Sequence, residues 1–385
     1  MTRNPSILGG LTPTRFLRRY WQRKPLLVRG AFPVFVPPLT PEELAGLACE
    51  EGVESRLVLE RGGRHPWQVV DGPHDPRRLR RLPHTHWTLL VQGVDRLVPE
   101  VAALVEPFRF VPDWRIDDVM VSFASRFGSV GPHVDRYDVF LLQGLGRRRW
   151  EVDARAKPEF RPGLDLQILK RFRAQASWLL EPGDMLYLPP GVAHHGVSLE
   201  PGMTFSIGFR APSGRELLAA ALRQPLQESH YRDPGRRPSR VPAELLPGDL
   251  RALRRLARTE ARRLSGPGFE RVVGELLTEP KEAGLEPASV PPGKLRARLR
   301  SGAGLLRRAG SRLVFLRSGS DVTLFAEGRS LPLPRGLAFA TSFLTERTSF
   351  ERRDLEPYLR RPGFVELLAR LVSAGAFEIR PTRRQ

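Results

Sequence analysis

Apolar residues recur along this chain with two different periods. Phe16, Leu17, Tyr20 and Trp21 keep a helical spacing behind Thr12-Pro13, where threonine can cap and proline suits the first helical position. Pro25–Arg29 then reads as a strand, and Thr40-Pro41-Glu42-Glu43 as a capping box that opens a second helix. From Trp67 to about Phe209 the pattern becomes short apolar runs punctuated by Gly and Pro. Val119–Phe123, Val139–Gln143, Arg149–Val152, Met185–Leu188 and Met203–Phe209 are strand candidates, which predicts a double-sheet β-barrel of the jelly-roll or cupin type.

After Ala211-Pro212 the period turns helical again. Leu250, Leu253, Leu256, Ala257, Ala261 and Leu264 share one face, with Asp249 placed to cap. Asp233–Pro242 reads as a loop and Pro280–Pro292 as a linker. A helix near Lys294–Arg300 follows, then a hairpin from Leu313–Leu316 to Val322–Phe325 turned by Ser318-Gly319. Three more helical stretches end with Phe364–Ala374 before Gly375. The predicted class is α+β, and helices around a small hairpin point to a winged-helix module at the end of the chain.

At 385 residues the chain is long for one core, and its 41% apolar content can bury two or three. No apolar run reaches the length of a membrane span. The opening Met1-Thr2-Arg3-Asn4-Pro5 does not resemble a secretory leader, so a cytoplasmic location is expected. The lone Cys49 excludes an internal disulfide and a cysteine-based zinc site, and reads as a small buried residue on a helix, not a nucleophile. The formal charge of +20 is carried almost wholly by arginine, since lysine occurs only at 24, 157, 170, 281 and 294. Arginine's planar fork suits phosphate, so the excess points to nucleic acid or an RNA-bound protein nearby; arginine-rich codon usage accounts for it equally well.

The chemistry concentrates in His133-Val134-Asp135 and, much later, Pro189-Pro190-Gly191-Val192-Ala193-His194-His195. Side chains two apart on a strand share a face, so His133 and Asp135 project together. A histidine from a distant strand completes a 2-His-1-carboxylate set, the mark of a non-haem Fe(II) oxygenase. His194 and His195 are both candidates, but alternate faces allow only one to bind. Histidines 65, 74, 84, 86 and 230 lie in loop-like segments without ligand spacing and read as surface residues. Such a site needs an electron source, commonly a 2-oxo acid, and one of Arg147, Arg148 and Arg149 could hold its far carboxylate bidentately.

Several blocks resemble the bacterial ribosomal oxygenases, which are JmjC-domain arginyl hydroxylases. These are Leu8-Gly9-Gly10, Tyr20-Trp21-Gln22 with Lys24-Pro25-Leu26-Leu27, Gly131 to Phe140, Gly146 to Trp150, Pro182-Gly183-Asp184 with Pro189-Pro190-Gly191, and Gly208-Phe209-Arg210-Ala211-Pro212. The resemblance covers the first 213 residues and implies a JmjC catalytic domain at 1–213, a helical dimerisation domain at 214–285 and a winged-helix domain at 286–385. It implies Fe(II) on His133, Asp135 and His194, 2-oxoglutarate gripped by Arg148, and Tyr137 beside the substrate. The implied substrate is an arginine of a large-subunit ribosomal protein (the sixteenth in the usual naming), hydroxylated at its β-carbon. The chain departs from the family at Ala124 and Thr204, where serine and asparagine are expected near the co-substrate; Ser122, Ser125 or Thr204 could supply a substitute hydroxyl.

Two rival readings stand beside this one. The same iron chemistry serves a JmjC hydroxylase or demethylase of another side chain, such as histidine or methyl-lysine. A non-enzymatic regulator could instead read nucleic acid, because residues 287–385 hold 19 Arg and Lys against 8 Asp and Glu, a balance of +11. An amphipathic helix at 249–264 with Leu250, Leu253 and Leu256 predicts a homodimer; packing within one chain explains it as well.

Overall fold

The computed structural model describes residues 7–60, 67–224, 230–232, 234, 246–266, 268–280 and 289–381. The sequence readings of Met1–Pro5, His65, most of Asp233–Pro242 and the middle of Pro280–Pro292 lie outside the described residues. Two units are distinguished, Met1–Ala211 and Pro212–Gln385.

In the first unit the N-terminal signals act as expected. Thr12 Oγ1 accepts from Arg15 N at the head of α1 (Pro13–Arg19), and Thr40 with Glu43 closes a capping box on α2 (Pro41–Leu47). Two short helical turns follow, α3 (Pro76–Leu79) and α4 (Pro99–Ala102). The strands are β1 (Leu26–Val28), β2 (Ser55–Glu60), β3 (Trp67–Asp71), β4 (Trp87–Val91), β5 (Ile116–Ala124), β6 (His133–Val134), β7 (Asp138–Leu145), β8 (Arg148–Asp153), β9 (Ala176–Leu180), β10 (Met185–Leu188), β11 (Ala193–Ser198) and β12 (Gly202–Phe209). They form an eight-stranded sheet, β1-β10-β7-β12-β5-β4-β2-β3, and a four-stranded sheet, β6-β11-β8-β9. The β region therefore starts at Ser55, ahead of the expected Trp67.

Period-two alternation separates two cores. Val119 and Val121 of β5 and Met203, Phe205, Ile207 and Phe209 of β12 join Phe16, Leu44, Phe108, Phe140 and Tyr187 on the outer side of the large sheet. Leu141 and Leu186 of the large sheet meet Trp150, Val152 and Leu180 of the small one, which fills one end of the space between the sheets. Each large buried side chain contributes about 1.5–3 kcal/mol. Asp138, fully buried, accepts from Tyr187 Oη (2.6 Å), Gln22 Nε2 (3.0 Å) and Arg115 Nη2 (3.2 Å), which ties the N-terminal segment to the barrel.

The second unit begins with α5 (Gly214–Leu222), α6 (Pro247–Leu264) and α7 (Phe269–Thr278). Leu246 occupies the N-cap of α6 and Asp249 lies in its first turn, correcting the expected cap: proline at the first position extends the helix upstream. Then come α8 (Pro292–Arg300), α9 (Phe339–Thr345), α10 (Arg352–Leu355) and α11 (Phe364–Ala374), the last closed by Gly375 in the left-handed region. Two three-stranded sheets complete it. One joins β17 (Ser349–Phe350), β13 (Gly304–Arg307) and β18 (Phe377–Arg380); the other joins β14 (Leu313–Ser318), β15 (Asp321–Ala326) and β16 (Arg329–Leu333). Ser318 pairs with Asp321, so the hairpin turns on Gly319-Ser320, one residue later than expected.

Candidate metal centre

His133 lies on β6, Asp135 just beyond its end, and His194 on β11, where it is the register partner of His133. The two imidazole centroids are 4.2 Å apart. Asp135 Oδ1 stands 3.8 Å from His133 Nε2, and Oδ2 stands 3.5 Å from His194 Nε2. One donor atom from each residue lies within 4.8 Å of the others, and among the described residues no other group of three or more such donors converges. His133 Nδ1 is 2.9 Å from Gly131 O, and His194 Nδ1 is 3.0 Å from Val192 O. Each carbonyl accepts the Nδ1 proton and leaves the Nε2 lone pair facing the carboxylate, the tautomer a metal ligand requires. Burial, then the neighbouring His133, lowers His194 to about 4, so it is neutral at physiological pH.

His194 is thus the residue brought to the cluster. His195 points the other way, 3.6 Å from Glu151 Oε2, and faces a separate cleft with Trp67, Phe127 and Ile168. A cleft of about 470 Å³ adjoins Asp135 itself, walled by Val134, Arg136, Phe160, Gln167 and Pro190.

Arg148 is 3% exposed on β8, beside Ser198 of β11. Its Nη2 donates to Gly196 O at 3.2 Å and its guanidinium lies over the Trp150 ring at 4.8 Å, yet Nε and Nη1 have no partner among the described residues. Burial lowers its pKa to about 10. A buried cation with two idle donors carries a desolvation penalty unless an anion arrives. Glycine at 196 is required, because a Cβ there would stand 2.6 Å from Arg148 Nε and 2.7 Å from the Trp150 ring.

Ser122 and Thr204 sit opposite one another on β5 and β12. Both are buried, and both belong to the even-numbered positions whose odd neighbours fill the outer core. Thr204 donates to Gln143 Oε1 (3.1 Å), and Ser125 Oγ is engaged with the backbone N and O of Trp87. Among the described residues, the further buried polar atoms without a partner include three on the strands around Arg148 and Ala124: Thr88 Oγ1, Ser198 Oγ and Trp150 Nε1. Thr88 is the register neighbour of Ala124, and Ser198 that of Arg148. Sequence reasoning missed these three. Only the even spacing of His194 and Ser198 along one strand could have signalled Ser198.

Tyr137 stands next to the metal ligands. Its phenol is pushed well above its usual value by burial of the hydroxyl and by the carboxylates of Asp135, Asp118 and Asp117. Asp118, buried, accepts from Gln92 Nε2 (2.8 Å) and Gly93 N (3.1 Å). His74 corrects its surface reading: it is 4% exposed, and burial lowers its pKa. Cys49, expected as a small buried helix residue, is only half-buried and lies in the turn after α2, where its thiol donates to Ala45 O.

The JmjC-domain family pattern matches residues 103–217. The chain is 39% identical over 369 residues to the ribosomal protein uL16 3-hydroxylase of Escherichia coli K12, covering 94% of this chain and 95% of that protein. It is 40% identical over 211 residues to a probable ribosomal oxygenase of Haemophilus influenzae, covering 54% and 52%. Structures of the Escherichia coli ribosomal oxygenase YcfD with cobalt and succinic acid, and with cobalt and 2-oxoglutarate, superpose with a TM-score of 0.78. They are 38% and 37% identical and cover 96% of this chain and 98% of theirs.

Proposed function

Because the chain belongs to the JmjC-domain ribosomal oxygenases, we propose that it is an Fe(II)- and 2-oxoglutarate-dependent hydroxylase of an arginine β-carbon on the large-subunit ribosomal protein uL16. The observation that carries this reading is a three-donor cluster within 4.8 Å combined with a buried guanidinium whose Nε and Nη1 have no partner. The donor set fits a ferrous ion, since two imidazoles and one carboxylate leave half the coordination sphere for other ligands. The pocket fits a dicarboxylate, since Arg148 offers the paired donors that a carboxylate accepts bidentately.

When bound, the iron and the 2-oxo acid together supply the oxidising power for inserting oxygen into a C–H bond. The protein supplies position. His133, Asp135 and His194 hold the ion at one end of the pocket. Arg148 is the register partner of Ser198, four residues along β11 from His194, and its guanidinium reaches back to Gly196 O, two residues from that ligand. Thr88, Ser198 and Trp150 offer further donors, while Val152, Leu141 and Leu186 keep water from the far side.

Support for an arginine substrate comes from charge. The carboxylates of Asp135, Asp118 and Asp117 all act on Tyr137, and this negative field beside the metal ligands favours a cation over a neutral imidazole. The same reading places the enzyme in the cytoplasm with its ribosomal substrate; no described helix is long and apolar enough to cross a membrane. It also assigns residues 214–285 to a dimerisation region and 286–385 to a winged helix. Leu250 and Leu253 of α6, each about two-fifths exposed, support a homodimer contact, with half-buried Leu256 on the same side and exposed Leu246 at the N-cap.

The test is turnover of a uL16 peptide by the full chain with Fe(II) and 2-oxoglutarate, with fragmentation mass spectrometry to locate the product. One added oxygen on arginine, absent with His133→Ala, is expected. Oxygen on a histidine, or removal of a methyl group from lysine, would replace the substrate assignment.

A further inference from the structure

The eighteen residues of α6 include no buried side chain, and the helix is sharply two-sided. Arg251, Arg255, Arg258 and Arg262 follow spacings of four, three and four, with Arg254 alongside, so at about 100° per residue all five share one face. All five are exposed, and none makes an ion pair among the described residues. The only acids of the helix, Asp249 and Glu260, fall on the opposite side with the leucines. Leu264 of that side packs against Ala220, Ala221 and Val272 of α5 and α7. The apolar side is thus engaged at its C-terminal end, which leaves the arginines outward.

Like charges three and four apart on a helix repel, and nearby carboxylates would normally relieve them. Among the described residues that relief is missing. The stripe from Arg251 to Arg262 runs about 16 Å, two to three phosphate spacings of charge on one straight edge. We propose that this face of α6 docks on the sugar-phosphate backbone of RNA. Arginine is the side chain whose fork matches phosphate. RNA is the polyanion that an enzyme acting on ribosomal proteins meets, and the choice of RNA rests on that functional reading. A membrane surface fits less well, because an interfacial helix must turn its apolar side into lipid, and that side is partly packed on α5 and α7.

The experiment is fluorescence anisotropy of a labelled RNA duplex with the full chain, in the absence of peptide substrate, across a salt series. The stripe variant Arg255→Gln/Arg258→Gln/Arg262→Gln keeps good helix formers, and Arg15→Gln/Arg18→Gln/Arg19→Gln on exposed α1 positions removes equal charge elsewhere. The stripe variant is expected to bind at least about tenfold more weakly, with a log–log salt slope shallower by about 2–3, as three lost phosphate contacts require. The α1 variant is expected to stay within about twofold of the parent. Equal weakening by both variants, parental affinity in the stripe variant, tighter binding of the matching DNA duplex, or stripe-dependent capture by anionic phosphatidylglycerol vesicles instead of RNA would each overturn the proposal. Peptide hydroxylation is read separately, so failure of the arginine assignment leaves the binding result standing.

Discussion

Replacing Arg148 by methionine should make the ligand-free protein more stable while removing its hold on 2-oxoglutarate. Burial lowers the guanidinium to about 10, roughly two to three tenfold steps of proton affinity below an exposed arginine. At about 1.4 kcal/mol for each tenfold change in proton affinity, holding the charge there costs roughly 3 kcal/mol. The bond to Gly196 O and the Trp150 ring face offset about 1–2 kcal/mol of that cost. Methionine keeps the stem's packing and removes the idle donors, so a net gain of about 1–2 kcal/mol is expected. For a unit of this size that is a rise of about 3–6 °C in Tm. The ligand response should move oppositely. At 100 times Kd, 2-oxoglutarate with Co(II) stabilises the parent by about 2.7 kcal/mol. Loss of a bidentate charge-assisted contact worth about 3 kcal/mol weakens Kd at least about 100-fold and removes most of that increment. Calorimetric scans of both proteins, with chelator and with Co(II) plus 2-oxoglutarate, read both effects. A variant that melts below the parent when ligand-free, or that gains the parental increment from 2-oxoglutarate, would refute the assignment of Arg148 as a carboxylate receiver.

Other outcomes follow from the same geometry. Gly196→Ala places a methyl 2.6 Å from Arg148 Nε, so the KM for 2-oxoglutarate should rise at least about tenfold with a stability loss of about 1–3 kcal/mol; an unchanged KM would show that Arg148 does not need its present seat. His194→Ala should abolish Co(II) binding in titration calorimetry, whereas His195→Ala, facing the other side of β11, should bind with near-parental affinity. Asp95, whose Oδ1 accepts from Val119 N, is raised by burial to about 6. Its protonated form is favoured in the folded state, so its contribution is full below about pH 4 and is lost as pH rises through about 6, a change of about 3 kcal/mol. Urea denaturation should show the parent losing that much relative to Asp95→Asn between pH 4 and 7, and parallel profiles would contradict the shift.

Much of the fold was legible where the signal is local. Thr12-Pro13 and Thr40-Pro41-Glu42-Glu43 specify helix starts within four residues, and the five predicted barrel strands lie where period-two runs occur. The arginine stripe of α6 is likewise written in three- and four-residue spacings. Less legible were β2 ahead of Trp67, the upstream start of α6 and the burial of His74, each set by which neighbours pack against it.

The sequence by itself determined the donor types of the centre, because a histidine and an aspartate two residues apart in an extended segment start on one side of the chain, although Asp135 stands just beyond the end of β6. Tertiary structure decided the rest. The choice of His194 over His195, the meeting of β6 with β11, and the seat of Arg148 beside Ser198 all follow from pairing strands some fifty to sixty residues apart. A one-residue slip in that pairing would turn every side chain to the opposite face. No local period encodes the register; it is fixed by burial of Trp150, Val152, Leu180 and Leu186 between the two sheets.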